Sequence, residues 1–171
     1  LTSIEATRQT SNLLEAMKVL RLLTNTTDTI APLISRVTLG LVMFPHGAQK
    51  MLGWYGGHGF SGTLNYFTGT MHIPAFLALL AILAEFAGAI GLVLGLLSRL
   101  AALGIASVMT VAILMVHAAN GFFMNWGGSQ KGEGFEYHVL ALGLALVVLV
   151  QGGGKASVDS LITRRLNRPH T

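Results

Sequence analysis

Between Ala75 and Ala119 the chain reads AFLALLAILAEFAGAIGLVLGLL, then Ser98-Arg99, then LAALGIASVMTVAILMVHAA. Each apolar run is about 20 residues long, enough for a helix to cross roughly 30 Å of hydrocarbon. One charged side chain, Glu85, interrupts them. A charge at that depth is expensive, so Glu85 is where chemistry is expected. The break at Ser98-Arg99 is too short for anything except a tight helical hairpin. The pair reads as two membrane-crossing helices, and Glu85 as a candidate proton carrier with His46 or His117 as its expected partner.

The rest of the composition fits this reading. Charged residues make up 11% of the chain, against about 25% in a soluble domain. Mean hydropathy is +0.63. With 171 residues the chain forms one domain. The absence of cysteine excludes disulfides, a CxxC redox pair, thiolate-held iron–sulfur clusters and covalent c-type haem. The basic residues lie in flanks, which suits phospholipid headgroups and argues against nucleic acid as a partner. The first thirty residues lack the clean apolar core of a cleavable signal peptide.

The expected fold class is all-α: an integral membrane four-helix bundle with short amphipathic surface helices at the N-terminus and C-terminus. Residues 1–29 form an N-terminal interface segment. There Leu13, Met17 and Leu20 share one face of a helix from Ser11 to Leu23, with Asn12 and Glu15 as its capping pair. Residues 30–154 form the membrane domain, with spans at about 30–53, 75–97, 100–119 and 135–154. Residues 155–171 are a basic tail with a surface helix from Ser157 to Leu166.

In the first span Pro32 suits a helix start and Pro45 predicts a kink. Arg36 is expected to snorkel to the headgroups. His46, Gln49 and Lys50 share a face that should look into the bundle or a wet vestibule. Residues 57–62 match GxGxxG, but no strand precedes them and no βαβ unit can form. With Trp54, Tyr55 and Tyr66 they read as an interfacial aromatic segment. In the second span Ala87, Gly91 and Gly95 are expected to let a neighbouring helix approach, and Glu85 shares a face with Ala81, Gly88 and Ala89. In the third span Thr110 and His117 share a face. Glu136, Tyr137 and His138 stand at the mouth of the fourth.

Four spans place both termini on one side. That side receives nine basic residues, from Arg8 to Arg168, and the other only Lys50 and Lys131. The positive-inside rule makes the termini cytoplasmic in a bacterial-type inner membrane. Depth along the helices then gathers His46, Gln49, Glu85, His117, Glu136, Tyr137 and His138 in the outward half of the bundle.

Several stretches also resemble a known family. Arg36-Val-Thr-Leu-Gly-Leu with His46-Gly47-Ala48-Gln49-Lys50 looks like the first span of the DoxX-like family. Ala84-Glu85 with the Gly-rich run to Leu97, then Ser98-Arg99-Leu100-Ala101-Ala102-Leu103, is similar to its central hairpin. His117 with Asn120-Gly121-Phe122-Phe123, and Gly134-Phe135-Glu136-Tyr137, are similar to its later motifs. The resemblance covers about Ser35 to Leu161 and implies a four-helix membrane protein of the DoxX/DoxD type. Some relatives resemble the membrane subunit of thiosulfate:quinone oxidoreductase. Others are linked to membrane complexes that handle oxidative and thiol stress.

Three readings of function follow. In the preferred one the protein is an accessory or assembly subunit of a larger redox-linked membrane complex. Its Gly/Ala-rich faces would contact other membrane subunits or a second copy, and it would be non-catalytic alone. In the second it is a quinone-interacting subunit. His46, Gln49, Glu85, His117 and Tyr137 then form a polar pocket for the headgroup, with no intrinsic cofactor. In the third, His46, His117 and His138 with Glu85 or Glu136 hold a metal or haem, although their spacing matches no compact metal motif.

Overall fold

The computed structural model describes residues 2–166, with residues 2–4 as backbone alone. Every regular element among them is helical: α1 (Thr2–Thr24), α2 (Ala31–Leu52), α3 (Gly59–Asn65), α4 (Ala75–Leu94), α5 (Ser98–Ala112), α6 (Glu136–Gln151) and α7 (Val158–Leu166). A π turn, Tyr66–Thr70, extends α3. A second π turn, Ile113–His117, and a 3-10 turn, Ala118–Asn120, extend α5.

Four of these helices close into a ring. α2 packs on α4, α4 on α5, α5 on α6, and α6 back on α2. The buried positions recur every three or four residues, as a one-sided helical stripe requires. They are Leu39 and Met43 on α2, Ala89 and Leu92 on α4, Ala102, Ile105 and Met109 on α5, and Ala141, Ala145 and Val148 on α6. The outer faces are just as apolar: Phe76, Leu80, Leu103, Leu114, Leu140 and Leu146 all stand exposed. Water would not tolerate so continuous an apolar surface, whereas lipid suits it.

Two segments are long and apolar enough to cross a membrane, Ala75–Leu94 and Ser98–Asn120. Only 28% of the apolar stretch of the first and 17% of the second is buried in the protein. A core helix of a soluble protein would be mostly covered. α2 has the length but carries Arg36, His46 and Lys50, and α6 is apolar but has 16 residues.

The close helix approach lies on α2. A Cβ on Gly47 would come within 2.6 Å of the Glu85 carbonyl oxygen and the Phe86 Cα, and one on Gly40 within 2.8 Å of the Ala89 carbonyl oxygen. Of Ala87, Gly91 and Gly95, only Gly95 admits a close neighbour from another element, Ser157 at the start of the α7 segment, which a Cβ there would strike. Ala87 is exposed. Gly95 is a left-handed helix cap with φ 69°, which ends α4 and lets the chain turn. Gly91 faces the Leu96 carbonyl oxygen inside that same turn.

Both ends of the chain differ from expectation. α1 is a 23-residue helix beginning at Thr2, so Asn12 lies in mid-helix and caps nothing. Residues 5–19 are all exposed. The segment after α6 is more than a surface tail, because Gly152, Gly153, Gly154, Ser157 and Asp159 are buried in the end of the bundle.

Candidate functional site

The last turns of α2 carry His46 and Lys50, and Gly47 between them lets α4 lie close enough for Glu85 to reach them. Glu85 is 3% exposed, and the Lys50 Nζ donates to its Oε2 at 2.5 Å. Its partner is therefore Lys50, not His46 or His117. The lysine side chain keeps 26% of its surface open while the glutamate keeps 4%, so the cation can still hydrate and the carboxylate cannot. His46, exposed on the outer surface, feels the charge of both.

α6 brings the other half of the cluster. The Tyr137 ring lies 6.1 Å from that of His46, and its hydroxyl donates to the Met43 sulfur at 3.3 Å. Thioether sulfur is a weak acceptor, so this hydroxyl is loosely held. Glu85 lies within electrostatic reach of Tyr137. His138 packs edge-on against Tyr137 at 5.4 Å and, tilted by 42°, against His117 at 4.1 Å. His138 is 6% exposed and its Nδ1 has no hydrogen-bond partner.

The π turn Ile113–His117 decides where His117 points. It winds in more than the usual 3.6 residues per turn, so His117 no longer shares a face with Thr110. Thr110 is exposed and bonds back to the Ala106 carbonyl oxygen. His117 Nδ1 lies 2.8 Å from the Glu133 carbonyl oxygen. A carbonyl only accepts, so Nδ1 carries the proton and Nε2 of the neutral ring offers a lone pair.

The structure thus brings together His46, Lys50, Glu85, His117, Tyr137 and His138. Gln49 stands apart, because its side-chain amide donates to the Tyr55 carbonyl oxygen in the covering loop at 3.3 Å. Glu136 accepts from the Trp126 indole at the mouth, at 3.4 Å. Among the described residues no three His, Asp or Glu side chains converge as a metal set.

Sequence reasoning missed a second polar centre at the opposite end of the bundle. Arg36 is 1% exposed and does not snorkel. Its Nε donates to the Gly153 carbonyl oxygen at 2.7 Å. Nη1 donates to those of Leu92 at 2.8 Å and Val93 at 2.6 Å, and Nη2 to those of Lys155 at 3.3 Å and Ala156 at 2.8 Å. The guanidinium thereby closes the C-terminal end of α4, where the Leu92 and Val93 carbonyls carry the partial negative charge of the helix end, and fixes the glycine loop after α6. Asp159, also 1% exposed, completes the lock, its carboxylate accepting from the Leu97 and Ser98 backbone N–H groups at 2.8 Å each, at the start of α5. The cue in the sequence was a lone acidic residue, Asp159, following a Gly-Gly-Gly turn.

The comparisons with known proteins follow the same elements. The DoxX family model matches residues 31–118, α2 through the end of the α5 extension, which is just over half of the chain. The match contains both Lys50 and Glu85. The chain is also similar to the inner membrane protein YqjF of Escherichia coli (strain K12), 24% identical over 138 residues, covering 81% of this chain and 96% of that one. No solved structure matches it. The apolar ring of helices and the matched core place the chain in the membrane, and it belongs to the DoxX family.

Proposed function

We propose that this protein crosses a bacterial-type inner membrane four times, with α2, α4, α5 and α6 as the spans and both termini in the cytoplasm. It serves there as an accessory subunit of a larger, redox-linked membrane complex. The observation that carries the accessory reading is α1. Among the described residues, this 23-residue helix packs on the rest of the protein chiefly near its C-terminal end, on α5 and α7. Leu13, Leu14, Met17, Val19 and Leu22 stand exposed along it. A helix that exposes this much apolar surface gains little from forming alone and fits a partner's groove. The location agrees with the name of the Escherichia coli relative, an inner membrane protein, and the orientation rests on the basic bias.

The test uses the full chain extracted from native membranes in a mild detergent. The wild type should migrate as a complex heavier than its monomer, and Leu13→Ser with Met17→Ser should return it to monomer size with its helix content unchanged. A wild type that runs only as a monomer refutes the accessory role. For orientation, a reporter active only outside the membrane should be silent at residue 166 and active at Ser129; the reverse pattern refutes it.

A second reading is favoured by one observation: His46 stands on the outer surface while Glu85 and His138 lie buried behind it. The cluster thus grades from an open edge to a closed interior. A quinone headgroup needs donors for its carbonyl oxygens, and the His46 ring and the loosely held Tyr137 hydroxyl suit that need. An organic extract of the purified protein should then contain quinone, and His46→Ala should empty it. Extracts equally loaded in both proteins would discount the site.

A further inference from the structure

We propose that the groove between α1 and α7 binds the phosphate headgroup of an anionic phospholipid, held by Lys18 and Arg21. The groove has a volume of about 460 Å³ and is lined by Lys18, Arg21, Leu22, Asn25 and Thr163. That lies within the range of roughly 300–1,000 Å³ typical of small-molecule sites. Lys18, Leu22 and Asn25 recur at i, i+4 and i+7 with Arg21 beside them, so one face of α1 supplies this wall. Thr163 faces it from α7, where its hydroxyl donates to the Thr24 carbonyl oxygen at 2.8 Å and ties the two helices together.

The charge is one-sided. Among the described residues no acidic side chain lines the groove. Arg21 spends one N–H on the Leu166 carbonyl oxygen at 3.2 Å, the unpaired end of α7, which fixes the guanidinium at the rim. Lys18 pairs with Glu15 at 2.6 Å, but both side chains are about two-thirds exposed, 68% and 65%. Such a pair holds weakly and yields to a better anion. Leu22, 72% exposed, gives the same groove an apolar wall against which an acyl chain can lie.

Position separates a lipid from a soluble anion. The groove lies at the end of the bundle where α4 ends and α5 begins, which the proposed four-span topology puts at headgroup level. Across α7 a second groove repeats the combination, with Leu94, Val158 and Leu161 as apolar wall and Arg164 at the rim. α7 thus lies between two furrows that each join a cation to aliphatic surface, the pairing an amphipathic interfacial helix uses. A bound lipid would seat α1, which the protein otherwise holds by few bonds, against the membrane. The inference does not depend on a partner subunit or on orientation.

The test uses the full chain, delipidated in mild detergent and titrated with phosphatidylglycerol while native mass spectrometry counts adducts. Wild type should retain the lipid and should not retain phosphatidylcholine. The variant Lys18→Gln with Arg21→Gln should bind about thirtyfold more weakly, since each basic residue near a charged lipid surface contributes roughly fivefold. Lys18→Arg with Arg21→Lys should restore binding, which separates charge from misfolding. Lys155→Gln, an exposed cation outside the groove, should bind as wild type does. A photoactivatable phosphatidylglycerol should label α1 and α7 peptides. Equal weakening by Lys155→Gln, labelling confined to other helices, or full competition by glycerol phosphate or an acidic peptide would each overturn the proposal.

Discussion

Replacing Arg36 with methionine tests the lock at the end of the bundle. Methionine keeps the length and apolar stem of the side chain and removes all five donors. The carbonyl oxygens of Lys155 and Ala156 belong to exposed residues and can turn to water. That of Gly153 accepts in buried surroundings and cannot, while that of Leu92 keeps the Gly95 backbone N–H at 3.2 Å. Stranding a buried acceptor costs about 1–3 kcal/mol, so Gly153 gives about 2 kcal/mol. Asp159 at the same time loses the opposing charge that faces it, which adds in the same direction. For a chain of this size about 2 kcal/mol lowers the melting midpoint by roughly 5 °C. Arg36→Lys keeps the charge but has at most three donors on a compact head, so it should fall between wild type and Arg36→Met. The assay is thermal unfolding of the purified protein in detergent, followed by helical circular dichroism. An Arg36→Met variant melting within about 2 °C of wild type refutes the claim that this network holds the C-terminal segment in place.

Two further perturbations read other parts of the fold. At the ion pair, Lys50→Met strands a carboxylate that is almost wholly buried and should cost about 3 kcal/mol. Glu85→Gln leaves a lysine that can hydrate and should cost about 1 kcal/mol, with any proton-coupled turnover of the native complex falling about tenfold or more. Melting midpoints in the opposite order refute the burial argument, and full turnover in Glu85→Gln ends the proton-carrier role. At the glycines, Gly47→Ala should destabilise by about 1–3 kcal/mol, because its Cβ meets α4 backbone that cannot yield. Gly143→Ala on α6 meets nothing within 4 Å and should stabilise by up to about 1 kcal/mol. Equal shifts at the two positions refute the close approach at Gly47.

The sequence carried the helices well and their neighbours poorly. Apolar run length, Pro32 and the glycine stops mark α2, α4 and α5 within a few residues, because those signals are local. The start of α1 was invisible, since the residues before Ser11 are polar and show no apolar period. Depth along each helix placed Glu85 and His117 in the same half of the bundle, but depth says nothing about azimuth. Lys50 therefore emerged as the partner of Glu85 only when Gly47 was seen to bring α2 onto α4. Arg36 misled for the same reason: one turn from a helix start it can snorkel, unless a glycine loop 117 positions later folds over it. The π turn that redirects His117 leaves no mark in the apolar pattern.

The two polar centres differ in how fully they are satisfied, and that difference bears on function. Every nitrogen of the Arg36 guanidinium and both oxygens of Asp159 have partners, most of them backbone groups with no freedom to move. Such a network is rigid, although the Ser98 hydroxyl beside it is buried without a partner. At the other end, His138 Nδ1 is buried without a partner, the Tyr137 hydroxyl rests on a thioether, and His46 opens outward. Unpaired buried polar atoms are costly, so an apolar bundle that retains them gives up stability at that place. The centre built on the Arg36 guanidinium and the Asp159 carboxylate explains how the chain holds its shape. The underpaired one, built on α2, α4, the α5 extension and α6, is where a proton or a polar headgroup would find groups free to meet it.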